Sequence, residues 1–253
     1  SLQCGLDAVA ITDHDEISAV PIAQAAAEGH DLRVLPGTEI SATFANKELH
    51  IPGLGTHPSP PALLAPLDRM RREPDTRAER IVEKLQALGV PIELEKLRQR
   101  AGEGTIGRIH IGQEVMALGF GRTVQDVFDK YIKAGRPAYV PKENLSAEQA
   151  ITAIHGAGGL AFVAHPGLGD QHKRLEDLVN LPFDGIEVYH SRHTERQTND
   201  FLAFAESHNL LISGGSDCHG SIKGHSPLMG KTKVPRNVFD TICEALERRA
   251  TAG

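Results

Sequence analysis

The chain has 253 residues, of which 40% are apolar and 24% charged, a composition typical of a globular protein. The formal net charge of −6 argues against broad electrostatic capture of duplex DNA, and no apolar run approaches the roughly 18 residues of a membrane span. Three widely spaced cysteines without a CxxC pair indicate neither a disulfide framework nor a cysteine zinc site, and a reducing cytoplasm fits them best.

The amino-terminal part alternates short apolar runs with helical patterns, which is typical of parallel βα units. Residues 1–5 read as the end of a helix, so we expect a further segment upstream. We predict strands over 8–11, 33–35 and 48–54 and a helix over 18–28, although Pro52 cannot donate to a ladder in the third strand.

The pattern changes between Pro58 and Pro141, where nearly all predicted elements are helical and charges of both signs alternate. We predict that residues 58–141 form an inserted helical lid subdomain, and that residues 1–57 and 142–253 form a barrel. Pro74 should break or kink the first of these helices, because proline lacks an N–H and clashes with the preceding turn.

After Pro141 the alternation of strands and helices returns. The expected strands cover residues 160–164, 185–188 and 210–213, and the expected helices cover residues 147–156, 174–179, 195–207 and 236–249. The chain is therefore predicted to be an α/β protein whose barrel resumes after the helical segment.

Histidines and carboxylates recur where the predicted strands end. The candidate metal ligands are His14, Glu39, His50, His165, Asp217 and His219, and Asp13, Asp15, Glu187, His190 and His193 lie beside them. Loops at the carboxyl ends of barrel strands gather on one face, so these residues should converge there. One histidine in such a place is more often structural than a ligand. The joint placement of the whole set therefore supports the metal site.

Histidine with carboxylate and without cysteine is a ligand set for zinc, manganese or iron, and several carboxylates can bridge two or three ions. Such ions activate water and neutralise charge on a phosphoryl group. The sequence therefore predicts hydrolysis of a phosphate ester by a metal-activated water, without a covalent intermediate on the protein.

Four ordered motifs resemble the polymerase and histidinol phosphatase (PHP) superfamily. They are Thr12-Asp13-His14-Asp15, Gly37-Thr38-Glu39, His165-Pro166-Gly167 and Ser216-Asp217-Cys218-His219. The helical segment, with Gly107-Arg108-Ile109-His110 and Pro137-Ala138-Tyr139-Val140, is similar to the subgroup of nucleoside 3',5'-bisphosphate phosphatases and 5'-3' exoribonucleases.

The resemblance implies a distorted (β/α)7 TIM-like barrel and a trinuclear centre of manganese, iron or zinc. It implies that the six candidate ligands bind metal, with Glu39 bridging. Arg108 and His110 would contact the substrate phosphate, and His193 would lie on the substrate side. The substrate would be a small nucleotide or short RNA; the oligomeric state stays open.

One departure from the family pattern is the absence of its opening strand, which carries a His-x-His pair and a following aspartate. Without this strand the barrel and the metal centre would be incomplete. We therefore keep as alternatives another PHP phosphatase, such as a histidinol phosphate phosphatase, and a noncatalytic metal- or nucleotide-binding fragment. A cyclic amide hydrolase is disfavoured because no strand ends in a lysine that could bridge metals.

Overall fold

The computed structural model describes residues 1–57, 60–102, 104–220 and 228–252. The chain divides into two compact units, one formed by Ser1–Leu67 with Asn144–Gly253 and the other by Asp68–Glu143. The bounds of the second unit differ from the expected 58–141 by ten residues at its start and two at its end, and its identity as an inserted lid stays a prediction. In the described part of the chain, no helix has the length and apolar character needed to cross a bilayer.

The first unit contains a mixed sheet. Its strands in the described residues are β1 (Ala8–Ile11), β2 (Arg33–Phe44), β3 (Lys47–Leu54), β4 (Leu145–Ser146), β5 (Leu160–Val163), β6 (Gly185–His190) and β7 (Leu211–Gly215). They are ordered β1-β2-β3-β5-β6-β7, and β4 pairs with β2. Fully buried side chains such as Ile40, Ile51 and Phe162 form the core of this unit on three of these strands.

The sheet is not wholly parallel, so that part of the prediction is wrong. Strands β1–β2, β5–β6 and β6–β7 pair in parallel, but β3 is antiparallel to both β2 and β5. Strands β2 and β3 form a hairpin closed by Ala45 and Asn46, which have φ of 47° and 61°. Tight two-residue hairpin turns need positive φ at both positions. Glu39 consequently lies within β2 and not after its end.

Helices flank the strands of the first unit in the order that alternation predicts. They are α1 (Ala19–Ala27), the start of α2 (Pro61–Ala87), α6 (Ala147–Gly156), α7 (Leu175–Leu178), α8 (Glu195–Ser207) and α9 (Arg236–Ala252). Ser146 and Thr194 cap α6 and α8 by accepting the N–H of the third helical residue. Asp184, just before β6, accepts hydrogen bonds from the Ala161 N–H and from His155 Nε2, both at 2.7 Å. It also forms an ion pair with Arg249.

The described residues of the second unit form helices joined by loops, without a strand. It contains the rest of α2, then α3 (Leu94–Ala101), α4 (Arg108–Ala117), α5 (Val124–Val127) and a π-helical turn over Phe128–Ile132. Helix α2 continues through Pro74, so the predicted break is wrong. The helix residues Ile81 and Leu85 lie in the buried core of this unit together with Leu97 and Ile111. This packing offsets the backbone hydrogen bond that Pro74 cannot make.

A cavity of about 550 Å³ follows the edges of β1 and β7 and is also lined by Val238 and Ile242 of α9. In the described residues, β1 pairs only with β2 and β7 only with β6. The cavity reaches His14, Asp217 and His219 at its end near the strand termini. It therefore joins two unpaired strand edges to the candidate metal ligands.

Candidate metal centre

The backbone brings the first three candidate ligands together. His14 follows β1 and forms a parallel bridge to Glu39 in β2, where the Glu39 N–H donates to the Asp13 carbonyl at 3.0 Å and the Asp15 N–H donates to the Glu39 carbonyl at 3.0 Å. His50 lies on β3, paired with Ser41 of β2. Because β2 extends to Phe44, Glu39 lies within this strand, between the candidate ligands His14 and His50.

Glu39 is the centre of the group. Its Oε1 lies 3.2 Å from His50 Nδ1 and 3.5 Å from His165 Nε2, and these two ring nitrogens are 3.2 Å apart. His14, Glu39 and His50 each offer a ligand atom within 4.8 Å of the others. Glu39 Oε1 is buried without a well-formed hydrogen bond. Imidazole groups of His14, His50 and His165 close to a carboxylate oxygen without a well-formed hydrogen bond are an arrangement that fits a cation.

The electrostatics favour an ionised carboxylate at this point. Burial raises the pKa of Glu39, but the close His165 and His50 rings and the charge of His14 outweigh it and lower the pKa to about 2. The same contact with Glu39 raises the pKa of His50 against the effect of its burial. The raised pKa of His50 means that a metal ion binding there competes more strongly with a proton.

The other three candidate ligands extend the same cluster. Ring centroids lie 5.2 Å apart for His50 and His165, 4.7 Å for His14 and His50, and 6.0 Å for His14 and His219. Asp217 Oδ1 lies 3.5 Å from His219 Nδ1. The structure thus brings all six predicted ligands together, while their roles as ligands stay a prediction.

Two of these ligands have a backbone conformation that side-chain-bearing residues rarely adopt. The φ angles of His165 and Asp217 are 27° and 51°. Such conformations persist where the surroundings hold them and are common at functional sites. Both residues follow parallel strands that flank β6, so β6 is the element placed to hold them.

Strand β6 contains a bulge that aims two side chains at the cluster. Glu187 pairs with Ser213 and Tyr189 with Gly214, which leaves Val188 as an extra residue. Residues three apart on a regular strand face opposite sides, but here both Glu187 and His190 face the ligands. His190 accepts the Arg192 N–H through Nδ1 at 3.2 Å, and its buried Nε2 lies 3.5 Å from Asp217 Oδ2.

His190 also affects the charge of Asp217. Its contact holds the pKa of Asp217 below the ordinary value, aided by His219 and opposed by burial. Sequence reasoning did not settle the role of His190, because the strand was expected to end at residue 188. The bulge that turns this side chain inward leaves no signal in the residue pattern.

Glu187 is a partly buried carboxyl group of the site with a strongly raised pKa. Burial, together with the charges of Glu39 and Asp217, raises its pKa to about 8, although the His165 N–H that it accepts acts in the opposite direction. It lines the cavity beside His165 and Asp217. Sequence reasoning placed it at the site but gave it no role.

The raised pKa of Glu187 predicts a pH dependence of stability in the metal-free chain. Between its ordinary value of 4.5 and about 8, the folded state binds more protons than the unfolded state, so stability should fall as the pH rises. His50, with a raised pKa, acts in the same direction above its ordinary value of 6.5, and His193, with a lowered pKa, acts in the opposite direction below that value. Denaturant unfolding in a chelator at about pH 5 and about pH 8 measures the loss.

The variant Glu187→Gln isolates the contribution of Glu187, because His50 is the same in both proteins. Its loss of stability over this pH range should be clearly smaller than that of the parent. Equal losses in parent and variant would show that the carboxyl group is ionised in the folded chain.

His193 is placed differently from the expectation of a substrate contact. Its Nδ1 donates to the Val188 carbonyl at 2.8 Å and its Nε2 accepts the Gly167 N–H at 3.1 Å. Burial, with the charges of His190 and His165, lowers its pKa. Both nitrogens are therefore engaged with backbone that flanks the His165 loop, and a substrate contact would require one bond to break. The predicted role stays untested.

Arg108 and His110 belong to the second unit and are described within it. Arg108 is exposed, with its guanidinium carbon 5.7 Å from the centre of the Phe128 ring. His110 Nδ1 accepts the Gly107 N–H at 3.1 Å, at the start of α4. Burial and the charge of Arg108 lower the pKa of Arg77 on α2. The positive charges of Arg77 and Arg108 therefore repel each other, and a bound anion would reduce this repulsion.

Comparison with known proteins gives consistent relatives, although no family model matches the sequence. The 5'-3' exoribonuclease Rnm of Escherichia coli (strain K12) is 34% identical over 218 residues, covering 83% of this chain and 74% of that protein. The 3',5'-nucleoside bisphosphate phosphatase of Chromobacterium violaceum is 34% identical over 222 residues, covering 85% of this chain and 78% of that protein.

A solved structure from Bifidobacterium adolescentis gives a similar result. That protein, described as a metal-dependent phosphoesterase, is 31% identical and superposes with a TM-score of 0.67. The match covers 95% of this chain and 86% of the other chain. The similarity therefore extends over nearly all of this chain and most of the other.

Proposed function

Because this chain belongs to the PHP family of metal-dependent phosphoesterases, we propose that it hydrolyses phosphate monoesters of nucleotides, chiefly nucleoside 3',5'-bisphosphates. The observation that carries this proposal is the convergence of His14, His50 and His165 on the buried Glu39 carboxylate. A second substrate class is the 5' end of short RNA, as the name of the exoribonuclease relative suggests.

The metal ions would be held by His14, Glu39, His50, His165, Asp217 and His219. When bound, divalent ions supply an activated water and positive charge for the phosphoryl group. The low pKa of Glu39 keeps it an anion over the whole neutral range, so it needs no deprotonation to act as a bridging ligand. We propose manganese, iron or zinc, with two or three ions, as the family resemblance implies.

Other residues of the chain would bind and orient the substrate. Arg108 and His110 at the start of α4 offer a guanidinium and an imidazole to a phosphate. A guanidinium can bind two phosphate oxygens at once, which fixes the ester as well as neutralising it. In this proposal the helical segment over residues 58–141 is the inserted lid that carries these groups.

The fold proposal is a distorted (β/α)7 barrel that needs one more parallel strand. The cavity of about 550 Å³ between the unpaired edges of β1 and β7 supports this, because apolar side chains such as Val9, Leu35 and Val238 line it. A strand there would satisfy both edges. Its carboxyl end would lie near His14 and His219, where the family's His-x-His pair belongs.

The test is manganese-dependent release of phosphate from adenosine 3',5'-bisphosphate. It is run side by side on this chain and on a chain extended by the residues encoded upstream. We expect the extended chain to release phosphate and this chain to release much less. Release from histidinol phosphate in preference to the bisphosphate would assign a different substrate. Metal binding without release from either substrate would indicate a noncatalytic module.

A further inference from the structure

Glu187 on β6 is a partly buried carboxyl group that the proposed chemistry does not use. Its Oε2 accepts the backbone N–H of His165 at 2.7 Å. The ladder between β5 and β6 ends at the pair Val163 and Ile186, so the His165 amide lies beyond it. Glu187 therefore replaces, with a side chain, the hydrogen bond that the strand pairing no longer supplies.

The position of this hydrogen bond is informative. At His165 the chain leaves β5 with φ of 27°, which turns it out of the strand direction. Its Nε2 then lies 3.5 Å from Glu39 Oε1. A buried N–H without a partner is costly, so a group that accepts it stabilises this turn over an extended continuation.

We propose that Glu187 is a positioning residue that holds the His165 backbone in the conformation required for metal binding. This inference rests on the proposed function, because it takes His165 as a metal ligand. In this proposal Glu187 acts through the hydrogen bond that its Oε2 accepts from the His165 N–H, and it contacts neither the metal nor the substrate.

A direct ligand role for Glu187 fits the geometry less well. Its Oε2 is already engaged with the His165 amide. Support of a neighbouring ligand is therefore the role that the contacts describe.

The chain contains a matched contact for comparison. Asp184, three residues earlier, accepts the Ala161 N–H at 2.7 Å, as Glu187 accepts the His165 N–H at 2.7 Å. Asp184 thus links the segment just before β6 to the start of β5. Glu187 links β6 to the residue that lies beyond the end of β5. Asp184 contacts His155 and Arg249 and none of the candidate ligands.

The experiment measures manganese affinity by calorimetric titration and the thermal unfolding midpoint of the metal-free chain. Glu187→Leu removes the acceptor and should weaken manganese binding by about tenfold to a hundredfold, the range found for residues that orient metal ligands. Glu187→Gln keeps a carbonyl oxygen at the same reach and should retain the affinity of the parent to within a few-fold. Asp184→Asn should lower the unfolding midpoint and leave the affinity unchanged.

A further variant guards against misfolding of Glu187→Leu. Glu187→Asp keeps the carboxyl group but shortens its reach, so it should also bind manganese more weakly than Glu187→Gln. The inference is overturned if Glu187→Leu or Glu187→Asp binds like the parent. It is overturned equally if Glu187→Gln binds as weakly as Glu187→Leu, because the charge would then matter and not the hydrogen bond. All variants are made in the extended chain, whose own failure to bind manganese would instead refute the proposed metal site itself.

Discussion

Replacing His165 by alanine or Asp217 by asparagine should abolish phosphate release, with losses on the order of a thousandfold or more in kcat/KM. His165 Nε2 lies 3.5 Å from Glu39 Oε1, and Asp217 lies between His190 and His219. Each variant removes a group that would hold the ions, so both the activated water and the charge neutralisation would be lost. Steady-state assays at saturating manganese measure the effect, with the variants made in whichever of the two chains, this one or the extended one, releases phosphate.

The control for these variants is His208→Ala, which also replaces an imidazole with a methyl group. His208 stacks on Phe204 at the end of α8 and contacts none of the candidate ligands. It should leave kcat/KM nearly unchanged. Thermal unfolding confirms that each variant is folded. Full activity in both His165→Ala and Asp217→Asn would remove the basis of the site assignment.

Replacing Arg108 by alanine should lower kcat/KM for adenosine 3',5'-bisphosphate by about a hundredfold, the range found when a charged donor to a reacting group is lost. The guanidinium is exposed, and none of the carboxylates in the described residues forms an ion pair with it. It is therefore available to an anion. Arg108→Lys should recover only part of the loss, because an ammonium cannot bind two phosphate oxygens in a fixed plane.

Arg80→Ala is the matched control, because Arg80 is an exposed arginine of the same unit that pairs with Glu143. Exposed ion pairs contribute little to stability, so this variant should keep nearly the activity of the parent. Equal losses in Arg80→Ala and Arg108→Ala would point to a general effect of charge. An unchanged kcat/KM in Arg108→Ala would remove this residue from the substrate site.

The strand-end pattern was the most informative feature of the sequence. Residues such as His14, His165 and Asp217 each follow an apolar run that forms a strand, so their convergence could be predicted from the rule for parallel strands. Helices α6 and α8 could also be predicted from the sequence pattern, which contains their capping residues Ser146 and Thr194.

Other features depend on contacts that the local pattern does not contain. The Ala45-Asn46 turn lacks the glycine that usually indicates a tight hairpin, so the antiparallel pairing of β2 and β3 was missed. Pro74 was expected to end a helix that tertiary packing maintains. The role of Glu187 depends on a backbone amide 22 residues away, and no local periodicity reports such a contact.

The extra residue in β6 constrains how this site can diverge. Glu187 and His190 lie on the same side of the strand because Val188 has no partner on β7. If the bulge were lost while the spacing stayed three, the regular alternation would turn one of the two side chains away from the candidate ligands, whereas loss of Val188 with the bulge would leave them two apart and on the same side. Among active relatives the spacing of these two residues should therefore change only together with the bulge, so that they are three apart with it and two apart without it. The spacing of the two residues is then as much a signature of the site as their identity.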